Sequence, residues 1–169
     1  LAQSGKLTDP HVLKGQAERL LSDARSAAFV ERFTDSWLRL DTLGAMPPDQ
    51  KKFPQYYNFR LESAMKQETR LFFGHLLEND LSILDFLDSD YTFVNDSLAT
   101  HYGISRVSGE GFRRVTLPAK LRRGGLLGHA SILTLTANGV ETSPVTRGVW
   151  VLENLLGTPP APPPPDVEP

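Results

Sequence analysis

Apolar positions recur at threes and fours over most of the chain, and the interruptions fall at residues that start or stop helices. Asp9-Pro10 is a helix cap followed by proline at the first helical position, and Val12, Leu13, Ala17, Leu20 and Leu21 continue at helical spacing. A second helix is predicted from near Ser26, with Val30, Phe33, Trp37 and Leu38 on one face. The prolines and glycine of "GAMPPDQ" then break the pattern. The longest periodic stretch runs from about Tyr56 to Leu77, where Tyr57, Leu61, Met65, Phe72 and Leu76 form the stripe of one amphipathic helix. Shorter helices are expected around Ile83 to Leu87 and from Asp96 to Tyr102, with Gly103 suited to cap the latter.

"RVSGEGFRRVTLP" contains the one strand signal, Phe112 to Leu117, and local pairing with residues near Tyr91 to Val94 is expected for it. "LLGHASILTLTANG" is ambiguous between helix and buried strand, because its second half is β-branched. Ser143-Pro144 repeats the cap-plus-proline signal and starts a last helix that runs through Leu156 to Gly157. Beyond it, Pro159, Pro160 and Pro162 to Pro165 favour an extended polyproline II rod. The fold expected is mainly α, a multi-helix single-core domain with at most a small β-element, followed by a polyproline tail.

Composition narrows the function classes. The 169 residues suffice for one sizeable core, and 40% hydrophobic with 22% charged residues is the balance of a globular domain. A net charge of −2 supplies no basic face for nucleic acid, and Lys51-Lys52 and Arg122-Arg123 are too short to build one. His129, Thr134, Thr136 and Asn138 interrupt the longest apolar stretch, so no membrane span is expected. With no cysteine, the chain has no disulfide, thiolate metal site, cysteine nucleophile or covalent c-type haem attachment. The sequence opens on Leu1 with no methionine and no charged-then-apolar leader, so it is expected to be an internal fragment whose targeting signal, if any, lies elsewhere.

Candidate chemistry is sparse. His11, His75, His101 and His129 are scattered, with no pair at metal-ligand spacing, and no nucleophile elbow or phosphate loop is present. "GGLLG" at 124–128 lacks the lysine and preceding strand of a phosphate loop. Glu68 stands out because it lies three after Met65 and four before Phe72, on the apolar stripe. A buried carboxylate must find a partner or hold its proton. The expected partner is an arginine from the C-terminal half, Arg147 first and Arg123 second, in a structural ion pair. A general acid or base is the alternative role. His101 sits at a helix C-terminus, where a hydrogen bond to backbone or to a carboxylate near Gly103 is expected, or else a catalytic or axial role. Trp37 and Trp150 are expected in the core and Asp96 as a helix cap.

"KQETRLFFGHLL", "FVNDSLATHYGI" and "RRGGLLGHASILTLTANGVETSPVTRGVWVLENLLGTPPAPPPPDVEP" resemble the paired domains of unknown function in planctomycete-type cytochrome c proteins. The resemblance covers the chain from about Ala17 to its end. It implies a domain over residues 1–157 and a proline-rich linker over 158–169, leading toward a haem c module with a C-x-x-C-H motif that this chain lacks. It implies an extracytoplasmic, periplasmic or cell-surface, location. The cofactor is then haem c in an adjacent segment and none in this chain, and the partner is that module or another redox protein. The family pattern supplies no catalytic residues.

The function expected on this basis is a non-catalytic scaffold or docking domain of a multidomain electron-transfer protein. One alternative is a redox or hydrolytic enzyme domain using Glu68 and His101. Another is a polysaccharide-binding module that uses Tyr56, Tyr57 and Phe59. An enzyme needs a pocket where Glu68 and His101 converge, and a glycan binder needs an exposed aromatic platform. A docking domain should carry an apolar patch near the base of the tail.

Overall fold

Asp9 accepts from the backbone N–H groups of His11 and Val12, and this cap opens α1 (Pro10–Leu21). The computed structural model describes residues 1–161. After α1 come α2 (Ser26–Leu38), α3 (Pro54–Asn58), α4 (Leu61–Glu78), β1 (Tyr91–Val94), α5 (Asp96–Tyr102), β2 (Arg113–Thr116), α6 (Ala130–Leu135) and α7 (Pro144–Asn154), linked by short 3-10 turns. The fold is mainly α with one small antiparallel sheet, in which Tyr91 pairs with Thr116 and Val94 with Arg113.

Several boundaries depart from the sequence pattern. The long stripe from Tyr56 is two helices, α3 and α4, separated at Arg60, which takes a left-handed conformation at φ 49°. The ambiguous stretch resolves into a 3-10 turn at Leu126–Gly128 and the short helix α6, and then a single bridge between Ala137 and Thr142. Asn95, not Asp96, caps α5 by accepting from the Leu98 N–H at 3.0 Å. Asp96 instead accepts from the N–H of Ser97. α7 ends at Asn154, and Gly157 follows in the left-handed region at φ 62°. Pro159, Pro160 and Ala161 belong to no helix or strand, and the expected rod over Pro162 to Pro165 lies outside the described residues.

α4 is the central element and packs against α2, α3, β1, α5 and α6. One side of it joins a cluster of Leu43, Tyr56, Leu61, Met65, Leu98, Tyr102 and Ala130. The other carries Phe72 and Leu76 into a second cluster with Leu38, Leu40, Leu126, Ile132 and Trp150. Each fully buried Leu, Ile or Phe stabilises the fold by about 1.5–3 kcal/mol. Arg70 ties α4 to α2 by ion pairs to Asp35 and Glu31. Trp150 is buried as expected and donates from Nε1 to the Leu38 carbonyl; Trp37 is half-buried and donates to the Asn154 carbonyl at 2.7 Å. α1 contributes no buried residue, so its apolar positions mark a face open to solvent rather than a core contact.

Candidate functional site

Glu68 has no solvent exposure, because α4 turns its stripe toward β1 and α5. Its carboxyl group meets two hydroxyls, Thr92 Oγ1 on β1 and Tyr102 Oη at the end of α5, each at 2.6 Å. The Tyr102 oxygen in turn accepts from the Ala130 N–H at 2.8 Å, which fastens α5 to the start of α6. No ion pair joins Glu68 to an arginine among the described residues. The arginine partners expected from the sequence are therefore replaced by neutral oxygens. Arg147 lies on α7 and donates to Thr136, Thr142 and the Leu133 carbonyl. Arg123 donates to the Gly128 carbonyl and lays its guanidinium 4.1 Å from the centroid of the Tyr102 ring.

This arrangement shifts the titration of Glu68 upward. Burial pushes its carboxyl group up to about 7, while the two hydroxyl hydrogen bonds and the charge of Arg123 oppose the rise. Thr92 Oγ1 and Tyr102 Oη both donate into the carboxyl group, one to each oxygen.

Beside Glu68, on the next residue of α4, Thr69 meets both Ser131 Oγ at 2.7 Å and His129 Nδ1 at 3.0 Å. His129 precedes α6, is 3% exposed, and packs edge-on against Phe72. Its Nε2 makes no hydrogen bond to protein, and burial, with the nearby Arg123 charge, pushes the imidazole down to about 3. Glu68, Thr92, Tyr102, Arg123 and His129 line a cavity of about 10 Å³, the size of one water-sized probe. The sequence shows His129 as a break in an apolar stretch and as one of four scattered histidines; a lone imidazole in such a stretch is the signal of a buried polar group.

The segment over this cluster is built by glycine. Gly125 has φ 58°, and a Cβ there would lie 2.5 Å from the Phe86 carbonyl oxygen and 2.6 Å from Leu87 backbone atoms. "GGLLG" thus serves a close backbone crossing.

His101 is elsewhere. It is exposed on α5 and makes no side-chain hydrogen bond among the described residues, so the expected bond near Gly103 is not formed. It lines a groove of about 410 Å³ with Tyr56, Met65 and Arg147, whereas Glu68 lines only the small cavity. Glu68 and His101 do not converge in one pocket. No cluster of three or more His, Cys, Asp or Glu side chains able to hold a metal occurs among the described residues.

Nor do Tyr56, Tyr57 and Phe59 form a platform. Tyr56 is in the core, Tyr57 stands edge-on to it and donates to the Pro48 carbonyl, and only Tyr57 and Phe59 are exposed. A different aromatic set reaches the surface. Phe29 and Phe33 on α2 are 48% and 43% exposed and stack at 5.4 Å, and Phe33 continues to Trp37 and Phe73. Trp37 meets Phe86 edge-on at 5.5 Å, and exposed Leu84 and Leu87 flank Phe86 in the chain. The hydrogen bond from Trp37 to Asn154 places this strip at the end of α7.

No helix among the described residues is long and apolar enough to cross a membrane. No curated protein and no solved structure matches the chain. Residues 123–169 match PSCyt3, a protein of unknown function (DUF1588), and residues 1–104 match PSD4, a protein of unknown function (DUF1592). Both are domains known from planctomycete-type cytochrome c proteins. With most of its length inside the PSD4 match over residues 1–104, and its buried Glu68, Thr92 and Tyr102 all contributed from there, the chain belongs to the PSD4 (DUF1592) family.

Proposed function

We propose that this chain is a non-catalytic docking domain of an extracytoplasmic, multidomain cytochrome c-type protein, and that it holds an adjacent haem c module. The observation that carries this reading is the apolar strip of Phe29, Phe33, Trp37, Phe86, Leu84 and Leu87 beside the end of α7. Exposed aromatic surface of this kind is what a partner covers. Its position beside the point where the proline-rich segment departs favours a partner tethered by that segment, because a tether raises the local concentration of the attached module. The sealed Glu68 cluster agrees with a scaffold, since a carboxyl group without solvent contact in a cavity of about 10 Å³ has no room for a substrate.

The test uses the chain extended through a C-terminal haem-bearing module. Small-angle scattering of the wild type should give a compact particle. Leu84→Ser combined with Leu87→Ser, both more than half exposed, should lengthen it without altering the haem spectrum or the domain's denaturation midpoint. An unchanged radius of gyration in the variant overturns the docking role.

A further inference from the structure

The groove that contains His101 has a chemistry separate from the docking strip. Tyr56, Leu61 and Met65 form its floor, and Leu133, Ala137 and Val140 form its wall. Its volume of about 410 Å³ is within the range of small-molecule sites, roughly 300–1,000 Å³. The rim is fixed: Ala137 bridges Thr142, the Gly139 carbonyl accepts from the Asp49 N–H at 2.7 Å, and a Cβ on Gly139 would lie 2.8 Å from the Pro47 carbonyl oxygen.

Arg147 gives this apolar groove a charge. Its Nε donates to Thr136 Oγ1 at 3.1 Å, and its Nη2 donates to Thr142 Oγ1 at 3.0 Å and, more weakly, to the Leu133 carbonyl at 3.5 Å. These neutral oxygens lock the guanidinium plane and leave Nη1 without a hydrogen bond among the described residues. Arg70 makes the contrast plain, since it is also half-buried but is neutralised by Asp35 and Glu31. No carboxylate ion-pairs with Arg147 among the described residues, although Glu141 also lines the groove. A pre-oriented guanidinium with spare donors, set beside an apolar floor, is complementary to an anion with an apolar body.

We propose that this groove binds a small apolar monocarboxylate, with the hydrocarbon or aromatic body on Tyr56, Leu61 and Met65 and the carboxylate on Arg147. Arg147 supplies affinity through a charge-assisted hydrogen bond from Nη1. Glu141 at the rim excludes dicarboxylates and phosphorylated compounds by repulsion.

Titration calorimetry of the full chain with octanoate and with octanamide, which share a body and differ in charge, tests the assignment. Octanoate should bind about tenfold to a hundredfold more tightly, the worth of a hydrogen bond to a charged group. Arg147→Gln should reduce octanoate to the octanamide level and leave octanamide unchanged. Val140→Glu, at an exposed wall position whose side chain takes no part in the hydrogen bonds of Arg147, should abolish octanoate binding without shifting the thermal midpoint, and it decides the matter if Arg147→Gln unfolds. Amide shift mapping should place the bound octanoate at Ala137, Val140 and Arg147. Equal affinities for the two probes, absence of octanoate binding, or a binding isotherm unaffected by Val140→Glu overturns the proposal.

Discussion

Replacing Glu68 with glutamine should change stability in a pH-dependent way. Glu68 titrates near 4.5 in the unfolded chain and at about 7 in the fold, because burial disfavours its charged form. The folded value is the higher one, so the fold binds a proton that the unfolded chain has released between pH 4.5 and 7. The stabilisation linked to that proton is complete below 4.5 and is lost as the pH rises through 7. The interval corresponds to about 3 kcal/mol. His129 runs the other way: its folded value of about 3 lies below the unfolded 6.5, so its contribution is lost as the pH falls through that range. The two slopes offset between pH 4.5 and 6.5 in the wild type, and only the difference between wild type and Glu68→Gln isolates the carboxyl group. Glutamine keeps a carbonyl oxygen to accept from Tyr102, and its amide can donate to Thr92 once that hydroxyl turns from donor to acceptor, so the variant should lie within about 1 kcal/mol of wild type at pH 4.5. At pH 8 it should be more stable by about 2–3 kcal/mol. Urea denaturation at the two pH values measures both. A difference that stays constant within about 0.5 kcal/mol between them, or a Glu68→Gln protein less stable at pH 8, would refute a protonated Glu68.

Tyr102→Phe removes the acceptor of the Ala130 N–H and a partner of Glu68, and should lower stability by about 1–3 kcal/mol in denaturant melts. Gly125→Ala, whose Cβ would meet the backbone at 2.5–2.6 Å, should destabilise by several kcal/mol, seen as loss of a cooperative transition. Gly148→Ala is its counterpart, because Gly148 is inside α7 with nothing within 4 Å of the new methyl, and it should raise stability by about 0.5–1 kcal/mol. Asp35→Asn breaks the half-buried link to Arg70, and should cost about 1–2 kcal/mol while narrowing the salt dependence of the melting temperature.

The elements that the sequence announces most clearly are those with local punctuation. Asp9-Pro10 and Ser143-Pro144 open helices where a cap and proline coincide, and Gly103 closes α5 in the left-handed conformation. The break between α3 and α4 is not legible, because Tyr57, Leu61 and Met65 keep helical spacing across it and arginine at φ 49° gives no compositional signal. The burial of Glu68 is legible from its place on the stripe; its partners are not. Thr92 and Tyr102 lie 24 and 34 residues away and reach it only through the β1–α4 and α5–α4 contacts. An arginine is the partner expected for an ionised carboxylate, and the fold instead buries the carboxyl group between two hydroxyl donors. A charge-paired Glu68 would make glutamine destabilising at pH 8; a protonated one reverses that sign.

The boundary between the two family matches does not coincide with any division of the core. Ala130 closes the hydrogen-bond chain that begins at Glu68, while Leu126, Ile132 and Trp150 complete the packing around Leu38 and Phe72. Cut between residues 110 and 111, the chain becomes two fragments that each present half of an interior to water. They should be insoluble or unstructured apart and should reconstitute one another when refolded together, as a split reporter does. In inheritance the pair then behaves as one unit. Duplication or loss of either segment alone leaves an unfillable core, so the two matches are expected to travel together through gene rearrangement.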